Sequence, residues 1–273
     1  MAVRSAIIHV MAGAALKAAR GLIRDFGEVE QLQVSIKGPG DFVSAADLKA
    51  ERVIRTELQR GRPGYGFLME ESGGTQGSDQ RHRWIVDPLD GTTNFLHGLP
   101  FFSISIALER DGELVAGVIY EPIRDEMFWT EKGVGAYVND RRLRVSARRN
   151  LGDAVIGTGI PFREHGDHAE YLRTLAPIMA ATSGVRRMGV ASLDLAYVAA
   201  GRLDGFWEFG LKPWDIAAGL LMVREAGGYA TDFQGAHGLP ASGDVVAAND
   251  HLHPVLLEMM RESLRQKADA PAK

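Results

Sequence analysis

Hydrophobic residues near the start of the chain recur every three or four positions, which is the spacing of an amphipathic helix. These apolar positions are residues 7, 8, 11, 15, 16, 19, 22 and 23, and the pattern continues past Lys17 and Arg20. The same periodicity predicts further helices at residues 44–58, 167–179, 191–200, 213–226 and 253–265. Short apolar runs between turn residues predict strands at residues 65–69, 83–86, 103–108, 114–120, 127–130, 155–158, 203–209 and 245–248.

The order of these elements divides the chain into two halves. Residues 1–150 are predicted to form helices and an antiparallel meander, whereas strands and helices alternate from about residue 151 to residue 265. A mixed α/β fold, with two sheets layered between helices, satisfies both halves. We therefore predict one domain over residues 1–273, with a frayed polar tail at 266–273.

Composition and charge narrow the range of functions. The 273 residues include 31 Lys and Arg against 35 Asp and Glu, a net charge of −4, which argues against general affinity for nucleic acid or anionic membranes. The absence of cysteine excludes disulfide scaffolds, thiolate zinc sites and cysteine nucleophiles, and it fits a reducing, cytoplasmic location. The longest apolar run, residues 6–16, is shorter than the roughly 20 residues that cross a bilayer. Behind Arg4 this run has the outline of a signal peptide, but its helical spacing favours an amphipathic first helix.

The sequence contains no motif of a P-loop, a dinucleotide-binding loop, a serine-hydrolase elbow or a zinc-protease helix. What remains is a set of acids at the ends of predicted elements, namely Asp47, Glu70, Glu71, Asp87, Asp90 and Asp215. Single acids have structural explanations, such as helix capping at Asp47 or a favourable position at a helix start for Asp215. Asp87 and Asp90, however, lie on one turn around Pro88, where they repel each other unless they are protonated or bridged by a cation.

A hard divalent cation is the simplest bridge between these carboxylates. Without cysteine or a paired histidine, magnesium fits the oxygen ligands better than zinc. Gly91 allows the backbone to approach a ligand, and a helical turn with free N–H groups for phosphate is predicted from Gly91 and Thr92 onward. Acidic metal ligands beside a phosphate site imply transfer of a phosphoryl group to water.

Two longer motifs contain Asp87, Asp90 and Asp215: WIVDPLDGTTNF at 84–95 and WDIAAG at 214–219. Through them the chain resembles the inositol monophosphatase family, over about residues 5–265. Further matches are KGPGDFVSAAD at 37–47, EESG at 70–73 and DLAYVAAGRLDG at 194–205. The resemblance implies a layered αβαβα sandwich of the sugar phosphatase type, a homodimer, and inhibition by lithium.

The resemblance also implies roles for particular residues. Two or three Mg²⁺ ions would be held by Glu70, Asp87, the carbonyl of Leu89, Asp90 and Asp215. The attacking water would be oriented and deprotonated by Thr92 and Asp47, with Glu70. The substrate would contact Gly91, Thr92, Ala191, Glu208 and Asp215. Among these, Glu208 would accept hydrogen bonds from inositol hydroxyls.

The predicted activity is magnesium-dependent hydrolysis of myo-inositol 1-phosphate or a related sugar-alcohol phosphate. The alternative is the same chemistry on fructose 1,6-bisphosphate, a 3′-phosphoadenosine nucleotide or histidinol phosphate, and Glu208 is the main residue that discriminates between them. A third hypothesis is docking of RNA or a protein partner through the arginine-rich segment 141–149. A solvated sheet edge explains those arginines more simply, because no aromatic residue lies among them.

Overall fold

Seven α-helices form within the residues that the computed structural model describes, which are 4–28, 34–38, 41–163 and 166–265. The helices are α1 (Ala6–Phe26), α2 (Ala45–Gly61), α3 (Thr92–Leu96), α4 (His168–Ala181), α5 (Ala191–Ala199), α6 (Pro213–Glu225) and α7 (Leu252–Arg265). The helices predicted from periodicity are confirmed to within a few residues at each end, and α3 is the helical turn expected after Gly91. The tail predicted at 266–273 lies outside the described residues.

Fifteen described strands form three sheets. The strands are β1 (Val34–Gly38), β2 (Asp41–Ser44), β3 (Tyr65–Met69), β4 (Gly73–Thr75), β5 (Asp79–Asp90), β6 (Ser103–Arg110), β7 (Glu113–Glu121), β8 (Glu126–Glu131), β9 (Gly135–Val138), β10 (Arg141–Arg142), β11 (Val155–Thr158), β12 (Gly184–Arg186), β13 (Gly205–Glu208), β14 (Tyr229–Thr231) and β15 (Val245–Ala248). An eight-stranded sheet has the order β10-β9-β8-β7-β6-β5-β3-β4, a five-stranded sheet has the order β12-β11-β13-β15-β14, and β1 pairs with β2. All the predicted strands are present.

The long strands of the eight-stranded sheet are buried on both faces. In β5, Trp84 and Val86 point into the core beneath α1 and α2, whereas Ile85 between them points into the core on the opposite side. In β6, Ile106 points into the same core as Trp84, and Ala107 points into the core on the opposite side. Successive side chains of a strand alternate between faces, so a sheet covered on both faces needs the continuous apolar runs that this sequence contains.

Helices cover both faces of both large sheets. α1 and α2 pack on the outer face of the eight-stranded sheet, α5 and α6 fill the space between the two sheets, and α4 and α7 pack on the outer side of the five-stranded sheet. At Gly117 of β7, a Cβ atom would lie 3.1 Å from the Cα of Ala218, so this glycine allows α6 to lie close against the sheet. The predicted layered αβαβα arrangement is confirmed.

α1 is the one described helix with the length and apolarity to cross a membrane, because it extends beyond the apolar run at 6–16 to 21 residues. Its apolar side, which includes Ile8, Met11 and Leu22, is buried against α2 and the eight-stranded sheet. Ser5 caps the helix by accepting a hydrogen bond from the N–H of Ile8 at 3.3 Å. α1 therefore packs as a core helix, in agreement with its helical spacing in the sequence.

Candidate active site

The sequence predicts a strand that ends at residue 86, but β5 continues through Asp87 and Pro88 to Asp90. Its pairing with β6 matches Asp87 to Ser105 and Asp90 to Ser103, so three steps along β5 correspond to two steps along β6. The extra residue makes a β-bulge, which is one of the places where a sheet accepts proline. Residues three apart in a regular strand face opposite sides. The bulge removes this alternation, so both carboxylates face one side.

Backbone hydrogen bonds hold the two aspartates in place. The N–H of Leu89 donates to Oδ1 of Asp87 at 2.9 Å, and the N–H of Ser192 donates to Oδ2 of Asp90 at 2.8 Å. The hydroxyl of Ser192 lies 2.7 Å from the hydroxyl of Ser103 on β6. Because Ser192 lies in the first turn of α5, this buried helix orients one of the predicted metal ligands. Sequence reasoning misses Ser192, whose only signal is its place next to Ala191.

The predicted acids raise one another's pKa values. Burial raises the pKa of Asp87 well above its ordinary range, and nearby negative charges raise it further. Those charges belong to Glu70, Asp90, Asp215 and Asp47. Burial, followed by the charge of Asp90, also raises the pKa of Asp215, and burial raises the pKa of Asp90 to about 6. The structure therefore brings these acids together, and a cation would relieve their mutual repulsion.

Asp215 reaches this cluster from the start of α6. Its Oδ2 accepts a hydrogen bond of 2.7 Å from the N–H of Lys212, and Pro213 begins the helix. The structural explanation given by the sequence, stabilisation of a helix start, is therefore confirmed. The same hydrogen bond fixes the carboxylate whose charge raises the pKa of Asp87.

A second group of carboxylates lies in the first turn of α2 and in the turn between β3 and β4. Asp47, Glu70 and Glu71 each offer one carboxylate oxygen, and these atoms lie within 4.8 Å of one another. Oxygen atoms at this spacing are suitable ligands for a divalent cation. The sequence places Glu71 among the acids, but the family resemblance assigns it no ligand role. Both Glu70 and Glu71 lie in the turn that follows β3.

Thr92 lies between the two groups of acids. Its Oγ1 is 3.0 Å from the carbonyl O of Leu89 and 3.5 Å from Oδ2 of Asp47, so its single hydroxyl proton can serve either acceptor. Gly91, which precedes it, has a left-handed φ of 95°. A Cβ atom at Gly91 would also lie 2.7 Å from Cγ2 of Val190. Both the backbone conformation and the space therefore favour glycine beside the acids.

A cavity of about 520 Å³ opens beside the acids, and both Glu208 and Asp215 line it. Glu208 ends β13, and its carboxylate lies against Gly159, which follows the neighbouring strand β11. Burial, with the charge of Asp90, raises the pKa of Glu208 to about 8. Ala191 begins α5 and is 7% exposed, but it is not among the described residues that line the cavity. Its contact with substrate stays a prediction.

Asp194 is a buried acid to which sequence reasoning assigns no role. It lies in the first turn of α5, is 1% exposed, and its two carboxylate oxygens have no hydrogen-bond partner among the described residues. Burial raises its pKa well above the ordinary range, and the charges of Glu208 and Asp90 raise it further. Its position in the DLAYVAAGRLDG motif is the only signal that the sequence offers.

Comparison with known proteins identifies the family of this chain. A sequence model of the inositol monophosphatase family matches residues 4–267. The chain belongs to the inositol monophosphatase family. It is 60% identical over 261 residues to the inositol-1-monophosphatase of Mesorhizobium japonicum, which covers 96% of this chain and 98% of that protein. It is also 41% identical over 258 residues to the Nus factor SuhB of Escherichia coli, covering 94% of this chain and 97% of that protein.

Solved structures of the inositol monophosphatase family have the same fold. The extragenic suppressor protein suhB from Bartonella henselae superposes with a TM-score of 0.92 at 58% identity, and the match covers 94% of this chain and 99% of that one. The predicted family and the predicted enzyme class, a phosphatase, are confirmed. The acidic cluster is the candidate metal site of this phosphatase.

Proposed function

We propose that this chain is a Mg²⁺-dependent phosphomonoesterase that hydrolyses myo-inositol 1-phosphate and related sugar-alcohol phosphates to the alcohol and phosphate. The observation that carries the proposal is the convergence of acids from α2, the β3–β4 turn, β5 and α6. Their burial and repulsion raise the pKa values of Asp87 and Asp215. The name of the 60% identical relative, inositol-1-monophosphatase, supports the substrate.

The donor atoms of the cluster fit magnesium. Carboxylate and carbonyl oxygens are the ligands of a hard cation, and the proposed set contains neither sulfur nor imidazole. We assign two or three ions to Glu70, Asp87, the carbonyl O of Leu89, Asp90 and Asp215. When bound, Mg²⁺ lowers the pKa of water and offsets the charge of the phosphate ester.

Thr92 and Asp47 direct the attacking water. The Thr92 hydroxyl donates to Asp47 or to the carbonyl O of Leu89, which leaves its oxygen lone pairs to accept a hydrogen bond from water. Asp47 accepts the proton that the water loses, and Glu70 supplies a second carboxylate oxygen within 4.8 Å. The water oxygen attacks phosphorus, the bond from phosphorus to the ester oxygen breaks on the opposite side, and the departing oxygen takes a proton from solvent to give the alcohol. Because water is the nucleophile, no covalent enzyme intermediate forms.

Substrate recognition divides between the phosphate and the polyol. The backbone N–H groups of Gly91 and Thr92 bind phosphate oxygens at the turn that follows the β5 bulge. Glu208 accepts hydrogen bonds from ring hydroxyls in the cavity of about 520 Å³ that it lines together with Asp215. Ala191 contacts the substrate from the start of α5.

Release of phosphate from a panel of monoesters, with and without Mg²⁺, tests the proposal. The panel contains myo-inositol 1-phosphate, fructose 1,6-bisphosphate, a 3′-phosphoadenosine nucleotide, histidinol phosphate and p-nitrophenyl phosphate. We expect the highest kcat/KM with myo-inositol 1-phosphate and almost no turnover without Mg²⁺. Turnover that is independent of divalent metal contradicts the metal role. A clear preference for another ester would change the assigned substrate but not the proposed chemistry.

We further propose that the enzyme is a cytoplasmic homodimer that lithium inhibits, as the family resemblance implies. Light scattering should give twice the mass of one chain, and cell fractionation should place the protein in the soluble cytoplasmic fraction. LiCl should lower turnover at fixed Mg²⁺, whereas an equal concentration of KCl should not. A monomeric mass would contradict the homodimer, and recovery in a different fraction would contradict the cytoplasmic location. Equal responses to the two salts would contradict inhibition by lithium.

A regulatory role is the second candidate function. It is supported by the name Nus factor of the 41% identical E. coli relative and by the arginines of segment 141–149 at the edge of the eight-stranded sheet. Two of these arginines have contacts within the chain: Arg148 pairs with buried Asp204 at 3.0 Å, and Arg142 packs over Gly135. The other exposed arginines of the segment are Arg141, Arg144 and Arg149.

RNA retention at several salt concentrations tests this second function. Replacement of Arg141, Arg144 and Arg149 by Gln should abolish retention, because it removes the basic side chains that contact phosphate, and should leave phosphatase activity unchanged. Retention by the wild type should weaken steeply as the salt concentration rises. A matched control replaces three exposed arginines elsewhere, Arg20, Arg60 and Arg110. Equal retention by wild type and both variants would favour the simpler explanation, a charged sheet edge.

A further inference from the structure

Glu51 is a buried carboxylate on α2 with no assigned role in the acidic site. It lies one helical turn after Asp47 and is only 5% exposed. Its Oε2 accepts hydrogen bonds from two successive backbone N–H groups, from Glu71 at 2.9 Å and from Ser72 at 3.3 Å. A buried charge is costly unless it is hydrogen-bonded, and these two donors supply that compensation.

The two N–H groups belong to the turn that carries Glu70 and Glu71. This turn connects β3 to β4, and its first residue, Glu70, donates its own N–H to the carbonyl O of Val86 on β5 at 3.2 Å. The turn is therefore held from two directions, by the sheet at Glu70 and by α2 at Glu71 and Ser72. The Cα of Glu70 lies between its own N–H and that of Glu71, so it cannot move far without breaking one of these hydrogen bonds.

The same helix that holds the turn also carries Asp47. The carboxylate oxygens of Asp47, Glu70 and Glu71 lie within 4.8 Å of one another, although like charges repel at this distance. Without an attachment between α2 and the turn, this repulsion would move the turn away from Asp47. The two hydrogen bonds of Glu51 oppose that movement from a position one helical turn away.

We propose that Glu51 is a positioning residue that sets the Mg²⁺ affinity of the site by holding the Glu70–Glu71 turn against Asp47. The inference rests on the proposed function, in which this cluster binds Mg²⁺. Glu51 acts through its hydrogen bonds and not through its charge. Groups that orient metal ligands commonly change metal affinity by about 10- to 100-fold when they are replaced.

Two conservative variants separate reach from charge. Glu51→Asp keeps the negative charge but withdraws the carboxylate by one methylene group, about 1.5 Å, so it cannot reach both N–H groups. Glu51→Gln keeps the reach and one carbonyl oxygen acceptor but removes the charge. Glu57→Asp and Glu57→Gln are matched controls on the same helix, because Glu57 pairs with Lys17 at 2.6 Å on the surface.

Mg²⁺ binding is measured by calorimetry on each purified protein, and the amide exchange of Glu71 and Ser72 is measured by NMR without metal. We expect Glu51→Asp to weaken Mg²⁺ binding by about tenfold or more and to speed exchange at both amides. Glu51→Gln should stay close to wild type in both measurements, as should both Glu57 variants. At saturating Mg²⁺, Glu51→Asp should recover most of its kcat.

The possible results separate the inference from the proposed function. Failure of the wild type to bind Mg²⁺ overturns both. Normal binding by the wild type with equal affinity in Glu51→Asp overturns the positioning role alone. An equal or larger loss of affinity in Glu51→Gln also overturns it, because the charge of Glu51 would then matter more than its reach.

Discussion

One added methyl group at Gly159 should displace Glu208 without touching any proposed metal ligand. Thr158 of β11 pairs with Trp207 of β13, so the residues that follow them, Gly159 and Glu208, are neighbours. A Cβ atom at Gly159 would overlap the carboxylate of Glu208. Gly159 is not among the glycines with positive φ, so alanine fits its backbone and the overlap is the main effect of Gly159→Ala.

The size of the effect follows from the overlap. A methyl carbon and a carboxylate oxygen need about 3.5 Å between their centres, so the Glu208 carboxylate must move by roughly 1 Å or more. Hydrogen bonds to substrate hydroxyls lose most of their strength over such a displacement. At a pH above about 8, where Glu208 is ionised, its charge-assisted bonds contribute about 1.5 kcal/mol or more each, so the loss of one or two lowers kcat/KM by about 10- to 100-fold.

The assay compares two substrates at saturating Mg²⁺. We expect Gly159→Ala to lower kcat/KM for myo-inositol 1-phosphate by this factor and to leave p-nitrophenyl phosphate, which has no ring hydroxyls, nearly unchanged. Gly13→Ala is the matched control, because a Cβ atom there meets no atom within 4 Å. Equal losses on both substrates would refute the reasoning by placing Glu208 in the reaction centre. No loss on either substrate would refute its role as an acceptor for hydroxyls.

Three further predictions concern the buried acids. Asp87→Asn keeps an acceptor for the N–H of Leu89 but loses the charge that attracts a cation, so most activity should disappear. The melting temperature of the metal-free protein should stay equal or rise, and a fall of several degrees would show that Asp87 has a structural role instead. At a pH above about 8, where Glu208 is ionised, Glu208→Gln should lower kcat/KM for myo-inositol 1-phosphate about tenfold and spare p-nitrophenyl phosphate, and the same loss on both would contradict it. The pKa of Glu208 is about 8 in the fold against an ordinary 4.5, so the folded state holds this proton more tightly and metal-free stability declines as pH rises from 4.5 to 8. Melting curves at pH 5 and pH 8.5 should therefore show a larger decline for wild type than for Glu208→Gln, and equal declines would contradict the raised pKa.

The elements predicted from the sequence are those whose hydrophobic pattern extends over several residues. α1 repeats its apolar face over about five turns, and β6 and β7 are strands of eight and nine residues, most of which are buried. The strands that the sequence did not reveal are short, such as β10 with two residues and β12 with three. A run of two or three residues carries no measurable period, because its pairing is decided by neighbouring strands that are distant in sequence.

The site was predictable where its residues are close in sequence. Asp87 and Asp90 stand out because two like charges flank one proline, although that proline marks a bulge and not the end of the strand. The contacts of Glu51 and Gly159 could not be predicted in this way. The first joins α2 to a turn 20 residues later, and the second depends on the parallel register of β11 and β13.

Helix α5 connects the proposed metal side of the site to the proposed substrate side. Near its start, the N–H of Ser192 holds Asp90, and two residues later the charge of Glu208 contributes to the raised pKa of Asp194. Every residue from Ala191 to Ala199 is buried, and close-packed interiors transmit small displacements instead of absorbing them. A shift of Ser192 therefore carries Asp194 with it. The proposed metal side at Asp90 and the proposed hydroxyl side at Glu208 therefore meet at one buried helical turn, so we expect a displacement on one side to reach the other.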